Sequence, residues 1–246
     1  MTTDHNQRDN VDSPWTTPKF VFSAAVVLLI VVLGAAVAIL GPGDGSQPAA
    51  RPPAGPKPVA PAVPGSDSVC GLPAGDQTVP RAAPAGTRWQ LIGSMAAPTA
   101  PSTAGPGSSV DGVPTCFAHS PTGALYAAVN FVATSTKADS AAALIMRSGT
   151  GVGRGAALEQ AARPANSTSG SLQVAGFNVL AYSEASASVD LLFRASTDAG
   201  AGYVHLTAPL VWDGGTWKWS LPPSGNPYEQ IQAVPSANGY VSWSGA

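Results

Sequence analysis

The sequence predicts an α+β domain: three short helices packed on a curved antiparallel sheet, carried behind a single N-terminal transmembrane helix and a Pro-rich stalk. Three observations predict it. Residues 20–40 (FVFSAAVVLLIVVLGAAVAIL) contain no charge. Helical periodicity is confined to residues 121–163. From Ser171 onward the apolar period falls to two, and strand follows strand with no helix between. Helices first and adjacent strands after is the order of an α+β domain, not of repeated βαβ units.

The elements follow in chain order. Residues 1–19 (MTTDHNQRDNVDSPWTTPK) are polar and too short to fold, and are read as a cytoplasmic tail. As a helix, residues 20–40 span roughly 31 Å at about 1.5 Å per residue, the thickness of a hydrocarbon core. A signal peptide has a shorter apolar region and a small-residue cleavage site, whereas here Gly41-Pro42 follows. Arg8 and Lys19 precede the segment and Arg51 and Lys57 follow it, so flanking charge does not orient it, although Lys19 abuts the helix directly. The bulk of the chain and both cysteines lie after it, and a cysteine pair suits an oxidising compartment. The expected location is the cell membrane, single-pass, with the C-terminal domain outside the cytoplasm. Residues 41–69 hold eight prolines, Pro42, Pro48, Pro52, Pro53, Pro56, Pro58, Pro61 and Pro64, and read as a semi-rigid linker.

Residues 70–120 read as a loop-rich arm with one short strand, Trp89 to Met95. Its two cysteines, Cys70 and Cys116, are far from C-x-x-C spacing and read as a structural disulfide, worth up to ~3–4 kcal/mol in the chain-entropy model. The arm has few apolar residues, so without the bond it is expected to detach while the remainder stays folded.

Residues 121–246 form the expected core domain with a C-terminal extension. Pro121 to Ser135 places Leu125, Ala128, Val129 and Val132 on one helical face, with Ser120 as cap and proline at the first position. Asp139 to Arg147 and Ala156 to Arg163 are shorter helices, closed by Gly149 and Pro164. Ser171 to Tyr182 has strand character. Ser186 to Ser196 alternates, with Val189, Leu191 and Phe193 on one face and Asp190 and Arg194 on the other. Tyr203 to Trp212 and Thr216 to Leu221 alternate likewise. Asp213-Gly214-Gly215 joins them as a hairpin turn, because glycine supplies positive φ.

Composition narrows function without naming one. Twelve basic and 14 acidic residues make up 11% of the chain with a net charge of -2, which argues against direct nucleic-acid binding. His5, His119 and His205 form no H-x-x-x-H or His/Glu cluster, so no metal site is expected. No G-x-S-x-G elbow marks a nucleophile. The run Gly149 to Gly155 lacks the G-K-[ST] ending of a phosphate loop and reads as a connector. Asn166-Ser167-Thr168 is a glycosylation sequon by pattern. Trp212, Trp217 and Trp219 read as the aromatic core of the last hairpin, not as a ligand cage. No catalytic, cofactor-binding or metal residue is assigned, and no cofactor is expected.

Three helices followed by long strands that end in WDGGTWKWSL resemble the nuclear-transport-factor-2-like (cystatin-like) α+β cone, over Cys116 to Trp243. Joined to a membrane helix and a Pro-rich stalk, the layout resembles the bitopic assembly subunits of type IV secretion and conjugation machines. The segment CFAHSPTGALYAAVNF, Cys116 to Phe131, is similar to small exported proteins encoded with conjugation ATPases in high-GC Gram-positive bacteria. The resemblance implies a non-catalytic envelope protein whose partners are the membrane and other channel subunits, with homo-oligomers among the options. The alternative is a solitary ligand-binding or cell-wall-facing domain that uses a pocket inside the cone.

Overall fold

The computed structural model describes residues 68, 70–163, 170–197 and 200–245. The segments read above as cytoplasmic tail and membrane helix, nearly all of the linker, and the sequon lie outside these residues. Among the described residues no helix is long and apolar enough to cross a membrane.

The described chain is α+β. Two hairpins come first: β1 (Arg88–Ile92) with β2 (Met95–Thr99), and β3 (Ser108–Val110) with β4 (Val113–Thr115). Three helices follow, α1 (Pro121–Ser135), α2 (Ala141–Ser148) and α3 (Arg154–Ala161), with the two-residue strand β5 (Gly149–Thr150) between the last two. Then come β6 (Ser171–Tyr182), β7 (Ser186–Thr197), β8 (Gly200–Asp213) and β9 (Thr216–Ser220), and a tail carrying β10 (Gln232–Val234) and β11 (Val241–Ser242). The large sheet runs in the order β11-β6-β7-β8-β9-β5, with β10 on the free half of β8.

The expected all-antiparallel sheet is corrected to a mixed one, because β5 pairs with β9 in parallel. The glycine run supplies the reason. Gly149 ends α2 in extended conformation, and Gly151 turns the chain at φ +90° into Gly153, the N-cap of α3. A Cβ on Gly153 would stand 1.6 Å from the Pro222 carbonyl oxygen, so only glycine fits there. The run is therefore a built junction, not a loose connector, and α3 begins at Arg154 rather than Ala156.

Helix α1 starts as its caps predict: the Ser120 hydroxyl accepts from the Gly123 N–H at 3.1 Å and Pro121 occupies the first turn. Its burial goes beyond the single expected face. Thirteen of its 15 residues are buried, the condition of a helix enclosed all round. One side packs on the inner face of the sheet. The other is covered by the two hairpins, whose Met95, Ala97, Val113 and neighbouring Phe117 belong to the same buried cluster.

The arm is thus part of the core, where sequence alone suggests a detachable flap. Asn130 on α1 donates to the Pro98 carbonyl at 3.0 Å. Gln173 on β6 accepts from the Ala96 N–H at 3.0 Å and donates to the Ser94 carbonyl at 3.2 Å. The single expected strand is a hairpin because Gly93, at φ +58°, turns the chain within the run. Pro98 is tolerated in β2 because it lies opposite Trp89 at a pair that exchanges no backbone bonds.

Candidate functional site

On the inner face of the sheet, Val189, Leu191 and Phe193 of β7 lie opposite Ala208, Leu206 and Val204 of β8, and all are buried. Alternation puts Asp190 and Arg194 on the outer face, yet Asp190 is only 8% exposed, and Leu192 on the same face is fully buried. Arg194 remains exposed. The tail is responsible. It returns across the outer face, pairing β10 with β8 at Tyr203 to His205 and β11 with β6 at Gly176 and Phe177.

This covering builds a polar cluster. The Tyr240 hydroxyl donates to Asp190 Oδ2 at 2.8 Å, and His205 Nδ1 lies 3.0 Å from Asp190 Oδ1. A carboxylate only accepts, so Nδ1 carries the imidazole proton there. His205 sits two residues from Thr207, the direct cross-strand partner of Asp190, which is the diagonal reach of a long side chain. Burial, then the hydrogen bond and charge of Asp190, hold the Tyr240 phenol well above its ordinary pKa. Asn178 donates to the Gly239 carbonyl at 2.8 Å beside this cluster. Chemically the group is an oriented Asp–His pair with a tyrosine on the second carboxylate oxygen. Its two hydrogen bonds tie β7, β8 and the tail together.

The aromatic hairpin lies at the other end of the sheet. Gly214 and Gly215, at φ +62° and +77°, make the turn, and Lys218 Nζ meets Asp213 Oδ2 at 2.8 Å across it. Trp212 and Trp217 face each other at 5.2 Å between ring centroids. Trp217 and Trp219 are buried and Trp212 is half-buried. His119 stacks on Trp212 at 3.9 Å, nearly parallel, and its Nε2 donates to the Glu184 carbonyl at 2.5 Å. The Trp217 indole donates to the Ala118 carbonyl at 3.0 Å. Trp212 and Trp217 therefore clamp the segment that enters α1, and Trp219 packs on Phe131 of α1 at 4.5 Å between ring centroids. A second aromatic group forms around Trp243, whose ring lies 4.9 Å from Trp89, 5.6 Å from Tyr126 and 5.4 Å from Phe177.

Cys70 and Cys116 form a disulfide, with Cα atoms 5.9 Å apart. Inside the domain, between α1 and the aromatic hairpin, a void of about 10 Å³ is lined by Phe117, Asn130, Phe131, Trp217 and Trp219 among others, with no carboxylate in its wall. That is the size of one water molecule. Asn130 Oδ1 and the Trp219 indole nitrogen, of residues lining this void, are buried with no hydrogen-bond partner among the described residues. No group of three or more His, Cys, Asp or Glu side chains able to hold a metal occurs among the described residues.

A sequence model of the family described as a domain of unknown function, DUF8175, matches residues 49–242. The chain belongs to this family. No curated protein and no solved structure matches it. The DUF8175 span takes in the arm, the helices, the sheet and most of the tail, in keeping with one shared core. It also reaches back into the Pro-rich residues before Ser68.

The Asp190–His205–Tyr240 cluster is the arrangement that sequence reasoning missed. Alternation alone marks Asp190 as outward. The missing signal is Tyr240, distant in sequence and in a stretch without strand periodicity.

Proposed function

We propose that this DUF8175 chain is a non-catalytic, membrane-anchored envelope protein, and that its extracytoplasmic domain is an assembly subunit of a conjugative DNA-transfer or type IV-like secretion channel. The Cys70–Cys116 disulfide carries the compartment. It bonds the end of the Pro-rich stretch to the entrance of α1, and such bonds persist in oxidising surroundings. Residues 20–40 supply the anchor, and residues 41–69 the spacer. The order of helices and strands, with the sheet packed over α1, supports the cone-like reading. The channel assignment follows the resemblance of residues 116–131 and of the overall layout. The rival, a solitary domain with a ligand pocket inside the cone, needs interior room, and Trp217, Trp219 and Phe131 occupy that space.

A reporter enzyme fused after Ala246 tests the topology: it is active only outside the cytoplasm, and a cytoplasmic signal refutes the anchoring. Affinity purification of the intact protein from its own membrane tests the assembly role. Recovery of channel subunits supports it, and recovery of the protein alone refutes it.

A further inference from the structure

The two N-terminal hairpins enclose a cleft of about 540 Å³, within the size range of small-ligand sites. Gln90 to Gly93 form one wall, Gly107 to Ser109 the other, and Lys137 is the only charged residue in the lining. Both walls are strand edges. Ile92 pairs with Met95 across a two-residue turn, so that pair exchanges backbone bonds and alternate pairs do so after it. Leu91 and Trp89 therefore turn their N–H and C=O groups outward. The same rule applied to Val110 and Val113 turns Ser109 outward on β3. The prolines agree: Pro98 and Pro114, which have no N–H, stand opposite Trp89 and Ser109 at pairs that need none.

On β2 the outward Ala96 N–H and Pro98 C=O are taken by Gln173 and Asn130. No hydrogen bond reaches the backbone N–H or C=O of Leu91 or Ser109 among the described residues. Leu91 is 75% exposed. The Lys137 ammonium has no hydrogen bond or ion pair among the described residues. It stands over the β3–β4 turn, 2.8 Å from where a Cβ on Gly112 would be.

We propose that this cleft binds a partner's extended peptide segment by strand addition, with a peptide carboxylate set against Lys137. Unpaired backbone donors and acceptors on both walls recognise a peptide backbone. Leu91 offers exposed apolar surface to a side chain of the added strand. One unpaired cation in an otherwise uncharged lining selects a single acidic group. The Pro-rich residues of this chain do not suit the site, because proline has no N–H to give to a strand edge. The inference concerns the described domain alone and stands apart from the membrane anchoring.

The test uses the purified full chain, isotope-labelled for amide NMR, and N-acetylated hexapeptides of alternating Thr and Val that end in Asp, in Lys or in an amide. The Asp peptide shifts the Leu91 and Ser109 amides and slows their hydrogen exchange. N-methylating alternate peptide residues abolishes binding without altering the protein. Leu91→Pro and Ser109→Pro remove outward N–H groups and leave the hairpin ladders intact, and each weakens binding about five-fold. Lys137→Gln removes the preference for Asp over Lys, about three-fold at low salt. Absence of any amide shift at about 5 mM peptide, weaker than any useful millimolar site, overturns the proposal. So does binding that N-methylation leaves unchanged, or a peptide of residues 49–66 that shifts the same amides more strongly.

Discussion

Replacing both cysteines by alanine tests how the arm is coupled to the core. The disulfide closes a sequence separation of 46 residues. In the chain-entropy model a loop of that length restrains the unfolded chain by about 4 kcal/mol at 25 °C. A domain holds only about 5–15 kcal/mol in all, so the loss is a large fraction. Where it falls is decided by packing. Met95, Ala97, Val113 and Phe117 lie in one buried cluster with α1 and the inner face of the sheet. Asn130 and Gln173 anchor β2 from two different elements. Peeling the arm away exposes α1, so the variant is expected to unfold in one step, at lower urea. At a slope of about 2 kcal/mol per molar urea the midpoint falls by roughly 2 M. Tryptophan fluorescence reads the transition, since Trp89 reports the arm and Trp217 and Trp219 the sheet. Limited proteolysis in native buffer checks it independently. The reasoning is refuted if residues 70–115 are cleaved first while the remaining domain keeps its original midpoint. That result would mark the arm as a separate unit despite its buried residues.

Three further outcomes follow from the same contacts. Tyr240→Phe removes the hydrogen bond to Asp190 and costs about 1–3 kcal/mol locally, read as faster hydrogen exchange of residues 232–243 while α1 exchange is unchanged. Gly176→Ala places a Cβ 2.8 Å from the Val241 carbonyl oxygen and 3.1 Å from the Tyr240 Cβ, so it loosens β11 and destabilises by about 1–3 kcal/mol, visible in the emission of Trp243. Burial first, then the Glu184 charge, pushes the Tyr182 phenol from 10.0 up to about 12, which favours its neutral form in the folded state. Its contribution to stability is complete below pH 10 and is lost as pH rises through 12. Tyr182→Phe therefore flattens the fall in unfolding midpoint over that range, and phenolate absorbance follows the titration.

What the sequence made legible divides along a physical line. Local chemistry was readable. Ser120-Pro121 opened α1, Gly214-Gly215 turned the last hairpin, and strict alternation marked Val189, Leu191 and Phe193 as inward. Properties set by a distant segment were not. Asp190 alternates outward, yet the tail buries it through Tyr240. Met95 and Ala97 lie in a stretch rich in proline and glycine, and no periodicity shows that α1 needs covering on its second side. The 15 residues of α1 carry the clue, since Tyr126, Ala127 and Phe131 extend its apolar surface beyond one stripe. Asp111-Gly112 between Val110 and Val113 is a hairpin signal of the kind used for β8 and β9, and it was available in the arm.

The distribution of closed and open strand edges bears directly on how this domain meets a partner. An unpaired edge is a template for another chain, and the large sheet interrupts its own with short strands and bulges. Strand β5 lies on the outer side of β9, and β10 occupies the half of β8 that β9 leaves free. On β6 the short β11 pairs at Gly176 and Phe177, and the register shifts near Val174 and Val179, bulges of the sort that discourage pairing. These closing strands are two or three residues long. Their sequences have little strand character, so closure is their physical role. Among the described residues, no strand covers the outer edges of β1 and β3 in the arm. Their outward groups at Leu91 and Ser109 line one cleft, beside Lys137, which has no ion pair among those residues. Among the described residues, short strands and bulges interrupt the edges of the seven-stranded sheet, while two hairpin edges face one cleft with their outward groups unpaired, which favours strand addition there. Opening a second edge tests this directly. Deleting residues 232–245 uncovers β6 and half of β8, and the truncated chain then self-associates in a concentration-dependent manner while the parent does not. Equal association of both forms would show that the tail has no part in closing the sheet.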